Sequence, residues 1–142
     1  MGHRRKAREY ALQGLYMHEL SATPVETLTR LEWVENHLPD PIREFAVTLI
    51  EGSIGKMAEI DELIVKYSKN WKFERLSAVD KSILRISIYA MLFLKDIPVI
   101  VTINEGIELG KMYGGESSGQ FINGILDAVR KHELGDEGKE GQ

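Results

Sequence analysis

Between about Ser77 and Lys95 the chain carries a helical pattern that is apolar on two sides. Val79, Ile83, Ile86, Ala90 and Phe93 form one stripe, and Leu84, Ile88 and Met91 form another. A helix with two apolar faces needs neighbours on both. This segment is therefore expected at the centre of the molecule, with the other elements packed around it. Those elements also read as helices. The stretch from about Arg4 to Leu20 puts Ala7, Ala11, Gly14, Leu15 and His18 on one face, and that from Ile60 to Lys69 does so with Ile60, Leu63, Ile64 and Tyr67. Thr23-Pro24 and Asp40-Pro41 each join an N-cap residue to a proline suited to the first helical position, and open segments of about 24–37 and 41–56.

The β-branched run Val99–Ile103 suits a strand. Against that, Thr102 and Glu105 have capping-box spacing, and Ile103, Ile107 and Leu109–Met112 continue at helical period. A helix over about Val99–Tyr113 is the favoured reading. Gly106 and Gly110 inside it each cost roughly 1 kcal/mol relative to alanine, and close packing against another helix is the expected reason for them. Gly114–Gly119 reads as a glycine- and serine-rich loop. A last helix follows, with Phe121, Ile122, Ile125, Leu126 and Val129 on its inner face. Beyond Glu133 the chain is polar and glycine-rich, and disorder is expected there. The fold class is all-α, with about six or seven helices and no internal repeat.

An apolar fraction of 43% among 142 residues is enough for a core without staples. The absence of cysteine excludes disulfides and thiolate metal sites. No stretch is long and apolar enough for a membrane span, and no export signal is visible, so a cytoplasmic protein is expected. The net charge of −4 argues against a general nucleic-acid binder. Its distribution says more: His3, Arg4, Arg5, Lys6 and Arg8 stand together with only Glu9 opposing them, while the tail is acidic. Cations at a helix N-terminus oppose the helix dipole, and Arg5 and Glu9 stand in the weaker order for a helical ion pair. Helix stability thus gives no account of the cluster. Phosphate binding does; a solvated, frayed terminus is the alternative. Arg5, Glu9, Gln13 and Tyr16 share a face roughly opposite Ala7 and Ala11. An amide and an aromatic ring beside arginines suit hydrogen bonding and stacking with unpaired bases. Tyr16 equally suits packing on another protein.

Nothing in the sequence reads as an active site. Gly115-Glu116-Ser117-Ser118-Gly119 fits the nucleophile-elbow pattern, but a helix precedes it where a strand is required, and the one later histidine, His132, follows close behind Asp127. Gly110-Lys111 lacks the Ser or Thr of a phosphate-binding loop. His3, His18, His37 and His132 form no ligand pattern. Asp61 and Glu62 read as solvated helix surface. A binding protein with no cofactor and no metal is expected.

Three ordered blocks resemble the NusB family of bacterial transcription antitermination factors, over nearly the whole length from Arg4 to about Val129. The opening RRKAREYALQGLY is similar to that family's arginine-rich first helix. NWKFERLSAVDKSILRISIY (Asn70–Tyr89) resembles its central block, and DIPVIVTINEGIELGKMYGGESSGQFINGILD (Asp96–Asp127) its last. The resemblance implies two packed helical bundles, about 1–70 and 71–134, forming one body over 1–134 with a tail at 135–142. It also implies a non-enzymatic adaptor that binds single-stranded boxA RNA together with the ribosomal protein NusE. Such a complex helps RNA polymerase read through terminators, notably in ribosomal RNA operons. By position, Arg4, Arg5, Lys6 and Arg8 become candidates for RNA contact, with Ser117, Ser118 and Gln120 beside them, and Gln13 joins them from the shared helix face. Tyr16, Glu74 and Asp80 map to the face expected to meet NusE. Gly106 and Gly110 replace alanines usual in the family, which implies a looser helix. Gln120 replaces a common basic residue, which implies one phosphate contact fewer. The competing function is a helical protein–protein module, or a homodimer that hides its basic face and binds no specific RNA.

Overall fold

The computed structural model describes residues 2–34 and 37–135, which are helical with no strand among them. In chain order the helices are α1 (Gly2–Ser21), α2 (Val25–Arg30), α3 (Asp40–Gly55), α4 (Met57–Tyr67), α5 (Ala78–Phe93), α6 (Val99–Gly114) and α7 (Glu116–Val129). A short 3-10 turn at Phe73–Arg75 precedes α5, and a π-helical turn at Arg130–Leu134 extends α7.

The doubly apolar segment is the central element. Ser77 caps α5 by accepting the Asp80 backbone N–H at 3.0 Å. Every residue from Lys81 to Ile88 is buried, including Lys81, Ser82, Arg85 and Ser87. The helix packs against α1, α3, α4, α6 and α7. Ile83, Leu84 and Ile88 are fully enclosed, and burial of each such side chain contributes about 1.5–3 kcal/mol. One apolar cluster runs from Ala7 on α1 through α5 to Val129 on α7. The β-branched opening of α6 goes helical because Pro98 sits at its N-cap with extended backbone, while Val99 and Ile103 turn into the core.

Several local expectations give way. The segment opened by Thr23-Pro24 ends at Arg30 rather than near 37, because Leu31 adopts a left-handed conformation (φ 57°) and closes the helix; residues 35 and 36 of that span lie outside those described. Pro24 and Pro39, not Thr23 and Asp40, hold the N-cap positions of α2 and α3, and no side chain caps either helix. Thr102 and Glu105 form no capping box, since α6 begins a turn earlier. Thr102 is buried, and Glu105 is engaged with α1 instead. The expected glycine–serine loop is almost wholly helical. Only Gly115 interrupts, with φ 95° and ψ −179°, a conformation that side chains disfavour. Ser117, Ser118 and Gln120 therefore stand on the first turns of α7.

The π turn fastens the C-terminal end to α4. Lys66 Nζ lies 3.0 Å from Glu133, the Tyr67 hydroxyl donates to the same carboxylate, His132 stacks on Tyr67 and Leu134 is buried. From residue 136 on, the segment expected to be disordered lies outside those described.

Gly106 and Gly110 do not loosen α6; they let the helix pairs close. A Cβ on Gly110 would meet Ile122 Cδ1 at 2.8 Å and the backbone of Gly119 on α7 at 3.2 Å. One on Gly106 would meet the rotatable Ser87 hydroxyl at 2.9 Å. Gly110→Ala is expected to lose about 1–3 kcal/mol to overpacking and to regain about 1 kcal/mol of helix propensity. A net loss near 1 kcal/mol in urea denaturation, larger than that of Gly106→Ala, is the expected result; a gain would show that α6 and α7 can separate at no cost.

Candidate functional site

The basic cluster occupies the first two turns of α1, and the fold divides its members. His3, Arg4 and Lys6 are exposed. Arg5 is half-exposed and makes a bidentate pair with Glu105 of α6, Nε to Oε1 at 3.1 Å and Nη2 to Oε2 at 2.7 Å. The Arg5 hydrogen bond holds the Glu105 carboxyl below its usual range against the opposing effect of burial. Arg8 is buried; its Nη1 lies 3.5 Å from Glu105 while Nη2 has no hydrogen-bond partner. Burial lowers its pKa, and Glu105 offsets part of this. The Arg4 and Arg8 guanidiniums lie over the Phe45 ring of α3, at 5.0 and 5.4 Å from its centroid. Arg4 also approaches Asp96 at 3.5 Å, just before α6. Partners on other elements thus account for part of the cluster, a cause that the stability of α1 alone did not supply. The exposed positive face consists of Arg4 and Lys6 with one edge of Arg5, and His3 is exposed beside them.

Further along α1 lies a cleft of about 300 Å³ lined by Leu12, Gln13, Tyr16, Met17, Trp33, Val79 and Tyr113. Its walls are apolar. Tyr113, at the end of α6, closes one side and donates to Glu9 Oε1 at 2.7 Å. Burial, then that hydrogen bond, push its hydroxyl pKa up to about 12. A second cleft of about 380 Å³ lies across the start of α5, lined by Trp71, Arg75, Leu76, Ser77, Asp80, Ser117, Ser118 and Phe121. Val79 and Asp80 are consecutive, so the two clefts flank one turn of α5.

This geometry regroups the expected residues. Gln13 and Tyr16, assigned to RNA and to protein respectively, share one cleft. Asp80, assigned to the partner, shares the other with Ser117 and Ser118. Glu74 is exposed on the 3-10 turn nearby, and Gln120 is exposed on α7. Arg4 lies at the end of α6 where Asp96 is, whereas Ser117 follows its far end; sixteen residues of helix separate them by about 24 Å. The serines are therefore not beside Arg4, while Arg5 and Arg8 meet α6 midway, at Glu105. Sequence reasoning missed the aromatic residues Trp71 and Tyr113, which are 60% and 42% exposed. Large rings next to polar neighbours were the available signal.

The remaining charged cluster is structural. Arg85 Nε and Nη2 each lie 2.9 Å from an oxygen of Asp61 on α4, and Nη1 lies 2.7 Å from Glu19 on α1. Lys81 reaches the other Glu19 oxygen at 3.2 Å. Burial alone would lower the Arg85 pKa, but the hydrogen bonds it donates to Asp61 and Glu19 raise it. Asp61 is therefore not the solvated surface residue that the sequence suggested. Among the described residues, no group of three or more His, Asp or Glu is placed to hold a metal, and no helix is long and apolar enough to cross a membrane.

Comparison with known proteins bears on these surfaces. The model of the NusB family matches residues 5–131. The transcription antitermination protein NusB of Syntrophus aciditrophicus is 47% identical over 139 residues, covering 96% of this chain and 86% of that protein. Its counterpart in Desulfatibacillum aliphaticivorans is 46% identical over 142 residues, covering 98% and 96%. Among solved structures, T. maritima NusB matches with a TM-score of 0.86 at 38% identity, covering 96% of each chain. A chain from a crystal structure of antitermination factors NusB and NusE in complex with dsRNA matches with a TM-score of 0.82 at 28% identity, covering 92% of this chain and 98% of that one. With the helices, the three sequence blocks and the family model coinciding over residues 5–131, this chain belongs to the NusB family.

Proposed function

We propose that this chain is a transcription antitermination factor: a non-enzymatic adaptor in the bacterial cytoplasm that binds single-stranded boxA RNA together with NusE and so helps RNA polymerase read through terminators. The observation that carries this reading is the layout of α1. Its first turns present His3, Arg4, Lys6 and the edge of Arg5 to solvent, and its third and fourth turns wall the apolar cleft around Tyr16. Positive side chains attract a phosphate backbone, whereas an apolar cleft suits side chains of a protein. The curated relatives named as antitermination proteins support the role, as does a structural neighbour solved with NusE and RNA. Arg8 contributes from beneath: buried between Glu105 and Phe45, it supports Arg4 and Arg5 and does not itself face the phosphates. Gln13, on the rim of the Tyr16 cleft, lies where RNA and protein would meet.

The test is fluorescence anisotropy of a labelled boxA RNA titrated with this protein, with and without NusE, against a scrambled RNA. Binding is expected to prefer boxA, to tighten with NusE and to weaken as salt rises, because bound counterions are released. Equal binding of both RNAs in every titration would sink the reading and leave the homodimer as the better account of the apolar cleft.

A further inference from the structure

Beneath the basic turns of α1, a cavity of about 10 Å³ lies where α1, α3, α5 and α6 meet. It is lined by Arg8, Leu49, Ile86, Ser87, Ala90 and Thr102, and all six are buried. Leu49, Ile86 and Ala90 give it apolar walls. The other three make it polar, and two of them carry an unanswered atom. Arg8 Nη2 and Thr102 Oγ1 are enclosed, and neither finds a hydrogen-bond partner among the described residues. A helical threonine can return its hydroxyl to the carbonyl one turn back, as Thr29 and Thr48 do to Val25 and Glu44, at 3.0 and 2.9 Å. Thr102 makes no such bond. Arg8 approaches Glu105 with Nη1 at 3.5 Å, and Nη2 is left over. An enclosed donor left unpaired costs more than an ordinary hydrogen bond contributes. Two such groups in the wall of one cavity point to a shared partner.

Size and chemistry select that partner. About 10 Å³ is the least space that holds one water molecule, and a carboxylate or phosphate needs more. A metal cation would be repelled by the guanidinium. Arg8 Nη2 can only donate, whereas a hydroxyl both donates and accepts. A water accepts from Nη2 and donates to Oγ1, which completes both groups. Ser87, also in the wall, offers a third partner, within the roughly two to four that a buried water uses. We propose that one ordered water is bound here and joins Arg8 of α1 to Thr102 of α6. Its place gives it a task. Arg8 lies with Arg4 over the Phe45 ring and shares Glu105 with Arg5. The water therefore holds from below the helix end that carries the exposed cations. The inference rests on packing and stands whether or not the chain binds RNA.

Two measurements on the full chain test this: a crystal structure at a resolution that places waters, and oxygen-17 relaxation dispersion of the solvent. The second counts long-lived buried waters in solution and is blind to exchanging hydroxyl protons. A density peak is expected within about 3.2 Å of both Arg8 Nη2 and Thr102 Oγ1. The dispersion amplitude is expected to fall by one water in Thr102→Val, which keeps the shape of the side chain and removes the hydroxyl. Thr102→Ser keeps the hydroxyl and is expected to retain the wild-type amplitude. An empty cavity in the wild-type crystal would overturn the proposal, and this result does not depend on any variant folding. Equal dispersion in wild type and a folded Thr102→Val would also overturn it. So would a peak with the anomalous signal of chloride, together with a melting temperature that falls when gluconate replaces chloride, since the occupant would then be an anion.

Discussion

Arg85→Ala is expected to be among the most destabilising single changes in this chain, by about 3–5 kcal/mol. Arg85 is 3% exposed and its guanidinium makes two hydrogen bonds to Asp61 and one to Glu19, so its loss strands two carboxylates at a semi-enclosed junction of α1, α4 and α5. Lys81 remains on Glu19 and relieves one of them; Asp61 has no such substitute. For a chain of this size each kcal/mol shifts the midpoint by about 3–4 °C, so the melting temperature should fall by roughly 10 °C or more. Arg85→Lys keeps the charge and loses the planar fork, and is expected to fall between wild type and Arg85→Ala. Thermal unfolding followed by circular dichroism decides it. A shift under about 3 °C for Arg85→Ala would mean that the network behaves as a surface ion pair.

The double reversal Arg4→Glu/Lys6→Glu is expected to have the larger effect on binding. For single-stranded nucleic acid each phosphate contact contributes about 0.7 to the slope of log K against log salt, so two lost contacts correspond to about 25-fold at 0.1 M salt. Reversal adds repulsion, and a drop of roughly 50-fold or more is expected, with the slope reduced by about 1.4. Stability should change little. Arg4 gives up only an exposed 3.5 Å pair with Asp96 and its place over Phe45, each worth at most about 1 kcal/mol. Acidic residues near a helix N-terminus return some of that. Arg5 is the wrong residue to reverse, because a glutamate there would face Glu105, whose side chain is 13% exposed. Unchanged boxA affinity in the double variant would remove the basic face from the interface.

How far these features could be read from the sequence depends on whether their cause is local. The helix of Val79, Ile83 and Ile86 was legible because periodicity is a local property, and it placed the centre of the fold correctly. Thr102 and Glu105 had the spacing of a cap, yet Pro98 had already opened α6. The partner of Glu105 is Arg5, a hundred residues away, and no local pattern reveals such a pairing. The same holds for Arg85 with Glu19 and Asp61. Gly114–Gly119 looked like a loop by composition, but glycines there let α6 and α7 approach, and Gly115 alone makes the corner. The basic residues were legible as a run on the first turns of α1. Which of them face solvent was decided by Phe45 and Glu105, from elements that the N-terminal pattern does not mention.

Helix α1 carries the exposed cations at one end and the walls of the Tyr16 cleft further on, in a single rigid element. A ligand on either surface therefore rests on the same helix. Thermodynamic linkage then fixes a symmetry: the factor by which NusE tightens RNA must equal the factor by which RNA tightens NusE. Two titrations run in opposite order must close the same cycle.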